Sequence, residues 1–283
     1  MNRVLEVTRA GALTTVQDLG RPGYAHLGVP RSGALDAAAL MRANALVGNP
    51  PSAAGLETTL TGCAFRLPGG GVVAVSGAVC RLRVDGVAVE LDSAVAVPAG
   101  ALVDVGRATA GVRSYAAVAG GVMVRPVLGS RSTDTLSGLG PPRVRDGDRL
   151  PLGAAGSGGA QVEVGPVPGG EITLPVRLGP RDGWFTAAAV STLLTTAYTV
   201  SPNSNRVGAR LAGAALARAD AGELPSEGVV LGAVQVPADG QPLVFLADHP
   251  ATGGYPVIAV VTDVTALAQA RPGSTVRFHG PER

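Results

Sequence analysis

Lysine is missing from this sequence, and all 23 of its basic residues are arginine. Without a side-chain amine the chain can form no Schiff base, carry no biotin and offer no P-loop lysine to a phosphate. Aromatic residues are only 3% of the total, so a core must be assembled chiefly from Val, Leu and Ala. Cysteine is limited to Cys63 and Cys80, both in apolar, strand-like surroundings, and no Cys-x-x-Cys occurs. A reduced protein is expected rather than a disulfide framework. Three widely spaced histidines give no zinc spacing, so no metal site is expected. A net charge of +2 with scattered arginines leaves no basic stripe interleaved with aromatics, which argues against nucleic-acid binding. Arg3, Glu6 and Arg9 interrupt any N-terminal signal core. The longest uncharged run, between Asp182 and Arg206, is rich in Ser and Thr and reads as a helix and loop rather than a membrane span. A cytoplasmic protein with no membrane partner is the expectation. Neither a Gly-x-Ser-x-Gly elbow nor a Walker or dinucleotide fingerprint is present.

What the chain has instead is glycine and proline, 41 and 22 of them, in a sequence that is 46% apolar. Short strands with close turns follow, and the fold class is mainly β, a barrel or sandwich with a few short helices. Val4–Val7 opens as a strand, and Leu35–Leu46 reads as a helix with Ser32 or Asp36 at its start and Gly48 past its end. Strand-like runs follow at 72–75, 80–84, 87–91, 102–105 and 114–119. Asp85-Gly86 supplies the positive φ values of a type I′ hairpin. Residues 153–169 are Gly, Ala, Ser and Pro with few large apolar groups, and serve as a linker between an N-terminal domain, 1–152, and a C-terminal one, 170–283. In the second domain Leu174–Leu178 is a strand, Trp184–Thr195 a helix with Asp182 as N-cap, and residues 237–242 a hairpin turn. Asp263 caps a last helix, and Ser274–Phe278 is a closing strand.

Three stretches concentrate polar chemistry. Thr14–Asp36 packs Gln17, Asp18, Arg21, Tyr24 and His26 among glycines and prolines; it is either an ordered loop in which Asp18 pairs with Arg21 or the lining of a site. Ser201–Gly208 offers the amides of Asn203 and Asn205 and the planar fork of Arg206, suited to a carboxylate or phosphate, though an Asx-rich loop can also satisfy its own backbone. Leu246–Pro256 runs from a buried strand through Asp248 into Gly253-Gly254-Tyr255, where successive N–H groups could form an anion nest. Asp248 is a base or an orienting carboxylate. Its neighbour His249 projects to the opposite face and should not touch it.

These stretches, with Asn44 and Leu46–Asn49, Ser226-Glu227-Gly228 and Gln235-Val236-Pro237, resemble in order and over nearly the whole chain a known family. It comprises the C subunit of bacterial 5-oxoprolinase, allophanate hydrolase subunit 2, the biotin-dependent carboxyltransferase domain of urea carboxylase, and the antagonist of a sporulation kinase inhibitor. The resemblance implies two cyclophilin-like β-barrel subdomains and a homologous B subunit, of the allophanate hydrolase subunit 1 type, as partner. As the C subunit the chain would act with the A and B subunits in the ATP-dependent hydrolysis of 5-oxoproline to glutamate, binding no cofactor itself. In the carboxyltransferase reading biotin sits on a partner; in a third reading the chain is a non-catalytic regulator that binds its homologue. Matching positions make Asp248, Asn205 and Arg206 the catalytic candidates. Asn203, Gly253, Gly254, Tyr255, Gln17, Asp18 and Arg21 are the candidates for binding a small-molecule substrate. The family usually has Arg-Gln-Thr before its Thr-Gly-Gly; here His249-Pro250-Ala251 stands there, so the substrate could differ.

Overall fold

The computed structural model describes residues 3–156, 170–219 and 222–280. Most of the expected linker, residues 157–169, lies outside the described residues. The chain divides into two compact units, Met1–Arg21 with Ser32–Val167, and Pro22–Arg31 with Pro168–Arg283. The excursion of residues 22–31 into the second unit has no counterpart in a contiguous division of the sequence.

The first unit carries β1 (Val4–Arg9), β2 (Thr14–Gln17), α1 (Ala37–Leu46), β3 (Gly55–Thr59), β4 (Cys63–Arg66), β5 (Gly71–Val84), β6 (Val87–Val89), β7 (Val95–Val97), β8 (Leu102–Val118) and β9 (Arg149–Pro151). They form one curled nine-stranded sheet in the order β2-β3-β8-β4-β1-β9, with β5 along β8 and carrying β6 and β7. The runs 72–75 and 80–84 are one strand, β5, and 102–105 and 114–119 belong to one strand and its end, β8. Gly77 and Gly111, at φ 99° and 75°, permit the bends, and the β5–β8 register slips at three points between Gly77 and Leu82. Such bulges turn a long strand without breaking its ladder. Because β8 bends, its start pairs with β4 and its end with β3.

The hairpin expected at Asp85-Gly86 joins β5 to β6, with φ 46° and 81° at the two turn residues. Helix α1 begins where Asp36 accepts a hydrogen bond from the Ala39 N–H (3.0 Å), and ends before Gly48 at φ 72°. Its buried Ala43 and Leu46 meet Ala74 and Ala117 of the sheet, small residues that let the helix lie close. The main core beneath the sheet is aliphatic, with Leu5, Leu56, Val75 and Val103 around Phe65.

The second unit holds β10 (Ile172–Leu178), α2 (Ala187–Thr195), β11 (Ala197–Val200), β12 (Gly208–Ala212), β13 (Glu227–Gly228), β14 (Ala233–Gln235), β15 (Leu243–Phe245), β16 (Thr252–Gly253), β17 (Val257–Val261), α3 (Thr265–Ala268) and β18 (Thr275–His279). Seven strands close a barrel in the order β10-β17-β14-β15-β12-β11-β18. The closing contact, β10 with β18, is parallel and the other neighbours are antiparallel. Leu174 and Val176 alternate inward along β10, and Tyr198 meets Phe278 edge-on at 5.9 Å. The turn expected at 237–242 joins β14 to β15. α2 starts later than the sequence suggests. Residues 182–184 form a single 3₁₀ turn, in which Asp182 accepts from the Gly183 N–H, and Thr186, held extended, caps the helix through the Ala189 N–H (3.1 Å). β13 and β16 make a separate two-stranded ribbon. Among the described residues no helix is long and apolar enough to cross a membrane.

Candidate functional site

In the first unit Gln17, Asp18 and Arg21 are brought together, but inside the protein, at 0%, 6% and 2% exposure. Gln17 donates through Nε2 to Thr15 Oγ1 and to the Thr133 carbonyl. Asp18 accepts from Ser130 Oγ, Ser132 Oγ and the Arg131 N–H, each at 2.6 Å, and from the Gly20 N–H at 2.8 Å. Arg21 donates to Ser32 Oγ (2.8 Å) and to the carbonyls of Ser132 and Val127, and Ser32 passes the chain of bonds on to Asp134. Asp18 and Arg21 thus meet through Ser132. A carboxylate with four donors and a guanidinium aimed at carbonyls can be buried because their bonds compensate the lost hydration. Nearby, Glu57 accepts from Tyr115 Oη (2.8 Å) and the Leu35 N–H, while Tyr115 Oη accepts from the Asp36 N–H. Burial first, then the Glu57 and Asp36 carboxylates, push the Tyr115 hydroxyl well above its ordinary pKa. Ser130, Ser132, Asp134, Glu57 and Tyr115 were not among the sequence candidates; the run Ser130-Arg131-Ser132-Thr133-Asp134 was their only local signal.

In the second unit the two polar loops are tied together. Arg206 Nε donates to Asp248 Oδ2 and Nη2 to Oδ1, both at 2.9 Å, with the side chains 1% and 0% exposed. The Asp248 N–H also donates to the Arg206 carbonyl (3.0 Å). Of the two roles expected of Asp248, base or orienting carboxylate, this geometry is that of the second, since both oxygens accept from a permanent cation. Arg206 presents its fork to Asp248. His249 turns away as expected: Nδ1 lies 2.7 Å from the Pro250 carbonyl and the ring packs 5.8 Å from Phe245.

Around this clasp the candidates are exposed. Asn205 accepts from the Val207 and Gly208 N–H groups through Oδ1, the self-satisfying Asx turn, while its Nδ2 has no hydrogen-bond partner among the described residues. Asn203 lines a cavity of about 250 Å³ with Ser201, Arg210, Asp239 and Gln241. Gly253 lies on the β13–β16 ribbon, paired with Glu227, and a Cβ there would meet the Gln235 amide at 2.5 Å. Gln235 Nε2 donates to the Tyr255 carbonyl (2.8 Å), and the Arg218 guanidinium lies 5.8 Å from the centre of the exposed Tyr255 ring. Gly254 is exposed beside it. A chain of close contacts therefore links Gly253 to Tyr255 through Gln235, and a planar polar ligand would meet amides and a cation there.

The family model of the carboxyltransferase domain, subdomain A and B, matches residues 27–280. The chain belongs to this family. Among members of the carboxyltransferase-domain family, the 5-oxoprolinase C subunit of Escherichia coli is 41% identical over 97% of this chain and 90% of its own length. Urea amidolyase of Lachancea kluyveri is 33% identical over 96% of this chain but only 17% of its own length. Of solved structures, that of TTHA0988 is 36% identical with a TM-score of 0.88, covering 98% of this chain and 55% of that one. Urea amidolyase of K. lactis gives 28% and 0.90, covering 98% and 19%. The chain thus spans about half of the first solved relative and a fifth of the second.

Proposed function

We propose that this chain is the C subunit of a 5-oxoprolinase complex, acting with the A and B subunits to open 5-oxoproline to glutamate with ATP. The observation that carries the reading is the 41% identity to the E. coli 5-oxoprolinase C subunit, nearly end to end on both proteins. The polar loops of the second unit suit a lactam. Opening it adds water at the carbonyl carbon, breaks the C–N bond and leaves the nitrogen as an amine, so donors at the carbonyl oxygen are required throughout. Asn205 Nδ2 and the Asn203 amide are the donors we assign to it. The Arg206–Asp248 clasp fixes the backbone that carries Asn205, and Gly253, Gly254 and Tyr255 give the substrate a face to lie on. Gln17, Asp18 and Arg21 support the first unit from within. ATP is held by a partner protein of the complex.

A second reading is favoured by the family model's own description and by the urea amidolyase match. In it the chain moves a carboxyl group from carboxybiotin to an amide or urea nitrogen, and biotin is attached to a partner, since this sequence has no lysine. The two readings separate in one assay on the co-expressed complex. ATP-dependent glutamate formation that avidin leaves unchanged supports the first; urea-dependent ATP turnover that avidin abolishes replaces it with the second. Asn205→Asp keeps the Oδ1 turn but removes the donor, and is expected to lower kcat/KM about tenfold with folding unchanged. Unchanged turnover would remove Asn205 from the site.

A further inference from the structure

A second cavity, of about 310 Å³, lies wholly in the first unit, away from every residue assigned above to substrate. Arg131 is its one charged lining residue, and no carboxylate lines it. The rest of its wall is small or apolar, with Pro50, Val122 and Met123 the larger groups and Ser52 a hydroxyl. Asn49 also lines it but is fully engaged, donating to Asn44 Oδ1 and the Val118 carbonyl and accepting from the Gly120 N–H.

Arg131 is held as a presented side chain. Asp18 grips the segment on both flanks, through Ser130 Oγ and Ser132 Oγ, and at its centre, through the Arg131 N–H. Nε donates to the Val124 carbonyl at 2.9 Å, fixing the plane of the guanidinium. Its two Nη nitrogens have no hydrogen-bond or ion-pair partner among the described residues. A cation in a cavity with no acid raises the local concentration of anions. The ligand's geometry follows from the guanidinium, whose two Nη groups side by side match the two oxygens of a carboxylate. A phosphate would find few further donors here, because the wall is mostly hydrocarbon and glycine.

We propose that this cavity binds a small organic acid, its carboxylate on the Arg131 fork and its apolar body against Val122, Met123 and Pro50. The buried Asp18 network, the most concentrated polar feature of the sequence, thereby acquires a purpose: it positions Arg131.

Isothermal titration of the purified chain tests this, with acetate, 5-oxoproline and inorganic phosphate as probes at constant ionic strength. At least one carboxylate is expected to bind one to one, and phosphate about tenfold more weakly or not at all. Arg131→Ala should weaken the carboxylate about tenfold, and Arg131→Lys, a point charge without the fork, should fall between. Met123→Glu, at a position 47% exposed, sets a negative charge in the cavity and should also abolish binding without touching the Asp18 network. Arg210→Ala, in the other cavity, is the control and should bind as wild type. The proposal is overturned if no carboxylate binds saturably, if phosphate binds equally well, or if Arg131→Ala and Met123→Glu both bind as wild type. Because binding is read on this chain alone, the result does not depend on the reaction the complex catalyses.

Discussion

Asp248 and Arg206 show how a single pair can be indispensable without reacting. Removing either partner leaves a charge in a place with no water, which costs about 3–5 kcal/mol, whereas replacing both with apolar groups of similar size costs much less. Asp248→Ala and Arg206→Ala should each lower the denaturant midpoint steeply. The double variant Arg206→Met/Asp248→Leu should be more stable than either single variant. Additive losses in the cycle would show that the pair contributes little beyond two separate side chains. Cys63 gives a pH signature. Burial pushes its thiol from 9.0 up to about 12, so the folded state holds the neutral form. The stability this contributes is complete below the unfolded thiol's pKa and is lost as pH rises from about 9 toward 12. Iodoacetamide at pH 8 should label neither Cys63 nor Cys80 in the native protein and both after unfolding, since the thiolate is the reactive form. Rapid native labelling of Cys63 would contradict its burial.

At the scale of elements, the start of α2 separates two capping residues that the sequence presents as rivals. Thr186 makes the cap hydrogen bond, so Thr186→Ala should cost ~1 kcal/mol, and Asp182→Ala, outside the helix, much less. Equal losses, measured by thermal unfolding, would place the helix start at Asp182 instead. The same region shows why local reading erred: both residues are good caps, and only the extended backbone at Thr186, φ −65° and ψ 151°, chooses between them. Strands were legible where a turn residue marked them, as at Asp85-Gly86 and 237–242. They were illegible where a glycine bends a strand without ending it. Gly77 and Gly111 look like punctuation in sequence, yet the ladder between β5 and β8 continues past both.

For the whole molecule, the mainly β fold followed from composition and turn spacing, because alternation and tight turns are local signals. The closed seven-stranded barrel did not, since its closure by a parallel pair of strands more than a hundred residues apart leaves no local trace. Of the site, the sequence yielded the residue types but not their exposure. Gln17, Asp18 and Arg21 read like site residues, but burial turned them into a scaffold, and nothing in the residues themselves distinguishes these roles. The excursion of residues 22–31 was equally hidden. The central claim is that the chain works as one member of an ATP-dependent lactam hydrolase complex. The most direct test is reconstitution of the three proteins, measuring glutamate released from 5-oxoproline with this chain present, omitted and restored. Release that vanishes on omission and returns on restoration is the predicted result; release at the same rate without the chain, or none from a complex shown to be assembled, would contradict it.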